Sequence, residues 1–114
     1  PMAAGMAMNK YLHSHEDIYA KLDEKTRTIE ESLPAGASGT FVRLGSMFKY
    51  FFRSSAPRNY TEAKQCDTGA FRVFWEKALA AGVFMAPSQV ETNFLSAAHG
   101  DAEMTKVVQV YGQC

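Results

Sequence analysis

Residues 40–53 constrain the fold of this chain most, because they are crowded with side chains that favour β-strands. The segment is interrupted near its middle by Gly45-Ser46, and its large apolar residues are Phe41, Val42, Leu44, Met47, Phe48, Phe51 and Phe52. A glycine at such a break is typical of a bulge or bend, since it adopts backbone conformations that other residues avoid. The pattern therefore predicts two short strands joined at Gly45.

A second segment with strand character covers residues 82–99. It predicts an apolar strand over residues 83–86, which the following proline ends by removing a backbone hydrogen-bond donor. A polar bend over residues 88–91 comes next, and residues 94–98 form a second apolar run. Glu91 is the only carboxylate in the segment. We therefore expect it to lie between two half-buried strands.

Two helices are expected before the first strand region. Residues 1–12 are rich in Met and Ala, which favour helices, and no capping residue precedes them. We therefore expect the chain to begin inside a helix, as a fragment of a longer protein would. Ser14 and Asp17 form a candidate capping pair for the next helix. The apolar face of that helix is predicted to contain Ile18, Leu22, Ile29 and Leu33.

Two further helices are expected in the second half of the chain. Residues 61–81 repeat apolar side chains at helical spacing, and the predicted buried stripe contains Phe71, Phe74, Trp75, Ala78 and Leu79. A last helix is predicted to begin with Asp101 as its N-cap. It places on one side Met104, Val107, Val108 and Tyr111.

The order of these elements predicts the fold class. Helices and strands alternate in short groups, which is typical of an α+β domain. Short strands joined by tight bends favour antiparallel pairing, with helices covering one face of the sheet. A chain of 114 residues is one domain at most. We therefore expect residues 1–114 to form a single α+β domain with a short antiparallel sheet covered by helices.

Charge and cysteine content argue against several classes of protein. Lys plus Arg and Asp plus Glu both number 12, so the formal net charge is zero. Surfaces that bind nucleic acid or anionic membranes need a basic excess, so we expect neither as a partner. No apolar stretch approaches the ~20 residues of a membrane span. Two cysteines are too few for a disulfide framework and favour reduced thiols in the cytoplasm.

Three groups of potentially reactive side chains have ordinary interpretations. Residues 13–17, His-Ser-His-Glu-Asp, are the densest set of possible metal ligands, but no other Cys or His lies at a spacing that completes a site. We interpret them as a solvated helix start and expect no metal. Cys66 lacks the signature of a nucleophile with a positioned base, so we expect an ordinary buried or half-buried thiol. His99 is expected to bond the turn before the last helix.

Several ordered segments resemble one enzyme family. The sequence GVFMAPSQVETNFLSAAH at 82–99 is similar to a strand pair in the C-terminal domain of the glutamate-1-semialdehyde 2,1-aminomutases, which are class-III pyridoxal-phosphate aminotransferases. GSMFKYFF at 45–52, with the Ala-Pro, Asn-Tyr and Ala-Lys pairs that follow it, resembles the same family in the same order. Met-Ala-Ala-Gly at 2–5 is similar to one of its helix starts. The resemblance covers essentially the whole chain.

The resemblance implies the small C-terminal domain of a fold-type-I pyridoxal-phosphate enzyme. It implies a homodimer that converts glutamate 1-semialdehyde to 5-aminolevulinate for tetrapyrrole synthesis, in the cytoplasm or, in a plant or alga, in the plastid. In the family, the Schiff-base lysine and the phosphate site lie upstream in the large domain, and no lysine of this chain has a context that resembles the Schiff-base motif. We therefore expect these 114 residues alone to bind no cofactor and to be inactive.

Two residues carry the family's candidate site. Glu91, in the Ser-Gln-Val-Glu segment, corresponds to a glutamate at the active-site entrance that helps to hold or release the diamino intermediate, which makes it the candidate catalytic residue. Ser46, in the Gly-Ser-Met-Phe bend, is implied to line the substrate end of the pocket. Val90 and Thr92-Asn93 depart from the family pattern next to Glu91.

Two alternatives stay open from the sequence. The chain could come from another class-III aminotransferase with the same fold, although the Pro-Ser-Gln-Val-Glu segment favours the aminomutase. It could also be a stand-alone, non-enzymatic domain for binding or dimerisation that kept only this half of the fold. The isolated chain is expected to expose apolar surface where the large domain would pack, and a monodisperse monomer would count against its being a fragment.

Overall fold

A computed structural model describes all residues from 1 to 114. Its elements, in chain order, are α1 (Met2–Ser14), α2 (Asp17–Glu31), β1 (Thr40–Leu44), β2 (Met47–Phe51), α3 (Tyr60–Ala63), α4 (Thr68–Ala80), β3 (Asn93–Phe94) and α5 (Asp101–Tyr111). The strands form one antiparallel sheet in the order β1-β2-β3. The predicted α+β class with a short antiparallel sheet is therefore confirmed.

The centre of the sheet is the hairpin that the sequence predicted over residues 40–53. Leu44 pairs with Met47, so Gly45 and Ser46 form a two-residue turn rather than a bulge. Gly45 has a φ of 55°, a left-handed conformation that glycine adopts at low cost. The buried hydroxyl of Thr26 in α2 donates a hydrogen bond to the Gly45 carbonyl over 2.7 Å, which fixes the hairpin to the helix.

The core lies on one face of this hairpin and is dominated by aromatic rings. Phe48 and Tyr50 of β2 point to that face together with Phe41 of β1, and they meet Tyr111 of α5 and Phe74 of α4. Tyr111 is 1% exposed and lies at the centre of this group. Edge-to-face contacts with the rings of Phe41, Phe48, Tyr50 and Phe74 surround it.

The predicted helix over residues 61–81 is instead two helices, α3 and α4. The break occurs because two side chains cap separate helix starts: Asn59 Oδ1 accepts from the Glu62 amide, and Asp67 Oδ1 accepts from the Ala70 amide. The predicted buried stripe is confirmed for Phe71, Phe74 and Ala78. It is wrong for Leu79, which is 45% exposed.

The predicted strand over residues 83–86 is wrong, and the second apolar run, over residues 94–98, contributes only Phe94 to β3. Side chains satisfy the backbone of the first run: Trp75 Nε1 donates to the Met85 carbonyl, and the Ala86 amide donates to Asn93 Oδ1, each over 3.0 Å. β3 pairs with β2, so the two runs do not pair with each other.

Two predicted helix caps are also wrong. The Ser14 hydroxyl donates back to the carbonyls of Lys10 and Tyr11 in α1, and Glu16 occupies the N-cap position of α2 without a side-chain bond. At α5, Gly100 is the N-cap and Asp101 is the first helical residue.

Asp67→Ala is expected to destabilise the start of α4 by ~1 kcal/mol, because the Ala70 amide loses its acceptor. Hydrogen exchange of the first α4 amides in the purified protein measures this effect. Asp67→Asn keeps an acceptor oxygen and serves as the control, with exchange close to that of the unchanged protein. Equal protection of α4 in the alanine and asparagine variants would contradict the role of this cap.

Candidate functional site

Glu91 lies at the end of a tight turn on the surface. Residues 88–91, here called the Glu91 turn, close through a hydrogen bond of 3.1 Å from the Glu91 amide to the Ser88 carbonyl. A second bond of 3.3 Å joins the Val90 amide to the Ser88 hydroxyl. Glu91 itself is exposed, so its carboxylate is available to solvent or to a neighbouring surface. The predicted polar bend is confirmed, although β3, rather than a strand pair, is the regular structure next to it.

A buried lysine lies beneath the Glu91 turn. Lys49 is only 5% exposed, and its ammonium donates to the Ser88 carbonyl over 2.9 Å. The same ammonium lies 4.8 Å from the centre of the Phe71 ring, a cation–π contact. Burial lowers the pKa of Lys49 to about 8, and the negative charge of Glu91 opposes this shift.

Sequence reasoning missed Lys49, although one signal was present. Within β2, which reads Met-Phe-Lys-Tyr-Phe, it is the only residue with a charged side chain. Apolar residues on both sides of a strand lysine indicate that both faces of the strand are covered. A lysine in such a strand needs a hydrogen-bond acceptor for its buried amine. Catalytic sequence motifs do not indicate a contact of this kind.

Gln89 holds the Glu91 turn from inside the protein. Gln89 is 7% exposed, and its amide nitrogen donates to the Cys66 carbonyl over 3.3 Å. Its amide oxygen has no partner. Cys66 is 4% exposed, so the prediction of an ordinary buried thiol agrees with its location.

Ser46 lies in the hairpin turn, and its backbone carbonyl accepts a hydrogen bond of 3.0 Å from the Leu95 amide. This bond connects the hairpin to the segment that follows β3. The segment from residue 88 through β3 to residue 95 therefore begins with the Glu91 turn and ends with the residue that is hydrogen-bonded to Ser46. Neither Ser46 nor Glu91 lines the cavity that lies beside α5 and β3.

That cavity has a volume of about 430 Å³ and lies between α5, β3 and the segment of residues 82–86. Apolar side chains form most of its wall, and its polar lining includes His99, Glu103 and Lys106. The His99 ring accepts from the Ser96 amide over 2.9 Å, and the Lys25 amine donates to the His99 carbonyl. The predicted structural role of His99 in the turn before α5 is confirmed.

The histidine-rich segment of residues 13–17 joins α1 to α2. All five of its residues are exposed, and the His13 ring lies 3.7 Å from the Glu16 carboxylate. The predicted solvation of this segment is confirmed, although His13 and Ser14 end α1 and only Asp17 belongs to the start of α2.

Curated relatives identify what this chain is similar to, whereas no family model matches it. Glutamate-1-semialdehyde 2,1-aminomutase of Methanocorpusculum labreanum is 71% identical over 110 residues, which are 96% of this chain. The enzymes of the same name from Methanoregula boonei and Nitrosospira multiformis are 57% and 41% identical over 99% and 94% of the chain. The chain is homologous to part of the glutamate-1-semialdehyde 2,1-aminomutases.

The homology to the aminomutases confirms the resemblance seen in the sequence. The chain corresponds to only a part of these relatives, because the matched region is 26–27% of their length. The names of these relatives describe them as aminomutases of glutamate 1-semialdehyde. None of the five helices has the length and apolar composition that crossing a bilayer requires.

Proposed function

We propose that this chain is the C-terminal small domain of a glutamate-1-semialdehyde 2,1-aminomutase with the fold-type-I architecture of pyridoxal-phosphate transferases. The intact cytoplasmic protein would move the amino group of glutamate 1-semialdehyde to the adjacent carbon and give 5-aminolevulinate for tetrapyrrole synthesis. The observation that carries this proposal is the identity of 71% over 96% of the chain to an aminomutase. The mixed fold and the exposed carboxylate on a fixed turn support it.

Exposed apolar surface supports a position within a larger assembly. No residue of α1 is buried, and the exposed fractions of Met2, Met6 and Tyr11 in this helix are 83%, 71% and 51%. On the sheet, Leu44 and Phe94 flank Met47 on the face opposite the aromatic core and are 72% and 64% exposed. We propose that these surfaces pack against the large domain and a second subunit of a homodimer.

The buried lysine of this chain does not fit the role of a Schiff-base lysine. A Schiff base needs a lysine amine that a ligand can reach, but the Lys49 amine is buried and donates to the Ser88 carbonyl. We therefore propose that the large domain holds the cofactor and that this chain alone is inactive.

We propose that Glu91 acts at the entrance of the active site of the intact enzyme. An exposed carboxylate on a closed turn can attract the ammonium group of a bound diamino intermediate and favour its charged form. Glu91 would thereby keep the intermediate in the site until the second amino transfer. We propose in addition that Ser46, fixed by the Leu95 bond, lines the substrate end of the same site.

Glu91→Gln in the intact enzyme is expected to increase the escape of the diamino intermediate about tenfold, because losing one charge-assisted contact costs ~1.5 kcal/mol. Quantification of the free diamino compound during turnover, by mass spectrometry, measures this escape. The control is Glu76→Gln, which removes an exposed carboxylate from α4. Equal escape from both variants would contradict the role proposed for Glu91.

A further inference from the structure

Lys49 is the lysine whose burial most needs an explanation. An ammonium that is removed from water costs free energy unless it is compensated, and this one is 5% exposed. Its compensation comes from one carbonyl, that of Ser88, and from the face of the Phe71 ring. Phe71 belongs to α4, and Ser88 is the first residue of the Glu91 turn, so the ammonium lies between that helix and the turn.

Two hydrogen bonds of the Glu91 turn share a single acceptor atom. The Ser88 carbonyl oxygen accepts from the Lys49 ammonium over 2.9 Å and from the Glu91 amide over 3.1 Å. A carbonyl oxygen has two lone pairs, so both bonds can form together. Lys49 is therefore joined to the backbone of Glu91 through one shared acceptor.

The charges of these two residues are coupled as well. The Glu91 carboxylate is the charged group that favours the ammonium form of Lys49, against the effect of burial. The attraction acts in both directions, so the ammonium also draws the carboxylate towards the base of its own turn. The tether from Gln89 to the Cys66 carbonyl holds the middle of the same turn.

We propose that Lys49 is a positioning residue for Glu91, because its buried ammonium holds the Glu91 turn through Ser88 and thereby sets where the Glu91 carboxylate lies. This inference rests on the role proposed for Glu91 at the active-site entrance. It assigns Lys49 no contact with substrate or cofactor.

The test compares three variants of the intact enzyme: Lys49→Met, Glu91→Gln and the control Lys64→Met. Lys64 also lies over an aromatic ring, with its amine 5.0 Å from the centre of the Tyr60 ring, but it is exposed. We expect Lys49→Met to increase the escape of the diamino intermediate severalfold, and Lys64→Met to leave it unchanged. Because an apolar side chain of similar volume replaces a buried charge, the melting temperature of Lys49→Met should not fall.

The outcomes separate the two proposals. Increased escape from Glu91→Gln with unchanged escape from Lys49→Met would overturn the positioning role and leave the proposed role of Glu91 intact. Unchanged escape from Glu91→Gln would overturn both. Increased escape together with a marked fall in melting temperature would show that Lys49 is structural, which also overturns the inference.

A second measurement applies even where Lys49→Met fails to fold. Titration of the lysine amines by carbon-13 NMR in the intact enzyme should show one amine with a pKa near 8. In Glu91→Gln this pKa should move further down, because the charge that favours the ammonium is gone. An unchanged pKa would overturn the coupling between the two residues.

Discussion

Phe74→Ala should destabilise the fold of this chain by ~3–5 kcal/mol, which is the usual cost of removing a buried phenylalanine ring from a core. Phe74 is 9% exposed and is the residue through which α4 contacts the aromatic core. Its ring centre lies 6.4, 5.6 and 5.1 Å from those of Tyr50, Phe52 and Tyr111. Truncation would leave a cavity between rings that are too large and too constrained to fill it.

Leu79→Ala in the same helix is the matched control. Leu79 is 45% exposed, so its loss should cost less than ~1 kcal/mol. Amide hydrogen exchange of α4 and α5 in the purified protein reports the local stability in both variants. Phe74→Ala should raise exchange throughout both helices, whereas Leu79→Ala should leave it nearly unchanged. Similar losses of protection would show that the buried stripe of α4 has been assigned incorrectly.

Gly39→Ala should destabilise the fold by ~2–3 kcal/mol, because an added methyl group has no space there. A Cβ atom at Gly39 would lie 2.3 Å from Cζ of Tyr50 and 2.6 Å from the Phe51 carbonyl oxygen. Tyr50 is 3% exposed and cannot move aside, and its hydroxyl accepts from the Gly39 amide over 2.8 Å. The substitution must therefore displace the start of β1 and break this bond.

Gly36→Ala provides the control from the same loop. A Cβ atom at Gly36 would meet nothing within 4 Å, so the substitution should be neutral or slightly stabilising. The melting temperatures of the two purified variants give the comparison. A melting temperature for Gly39→Ala equal to that of Gly36→Ala would mean that the loop adapts without disturbing Tyr50.

The elements predicted correctly are those that depend on residues close to one another in the sequence. The hairpin followed from strand-forming residues on both sides of Gly45, and α2 and α5 followed from apolar residues at helical spacing. The prediction of a strand over residues 83–86 was wrong, because an apolar run does not show whether its backbone groups are free to pair with another strand. Here the side chains of Trp75 and Asn93 occupy backbone groups that a partner strand would need.

The break between α3 and α4 was missed for a similar reason. Apolar periodicity continues from one helix into the next, and only the hydrogen bonds of Asn59 and Asp67 reveal two separate starts. At the candidate site, the family resemblance identified Glu91, whereas the structure identified Lys49 beneath it. The contact between Lys49 and Ser88 joins residues 39 positions apart, which no local pattern can predict.

The most direct test of the proposed function is an assay of the purified intact protein, expressed from the complete reading frame that contains this sequence. The protein would be supplied with glutamate 1-semialdehyde and no second amino donor or acceptor, and the products identified by mass spectrometry. We predict the formation of 5-aminolevulinate, with the amino group moved within one carbon skeleton. Reaction only after addition of a separate amino acceptor would contradict the account and indicate another aminotransferase of the same fold.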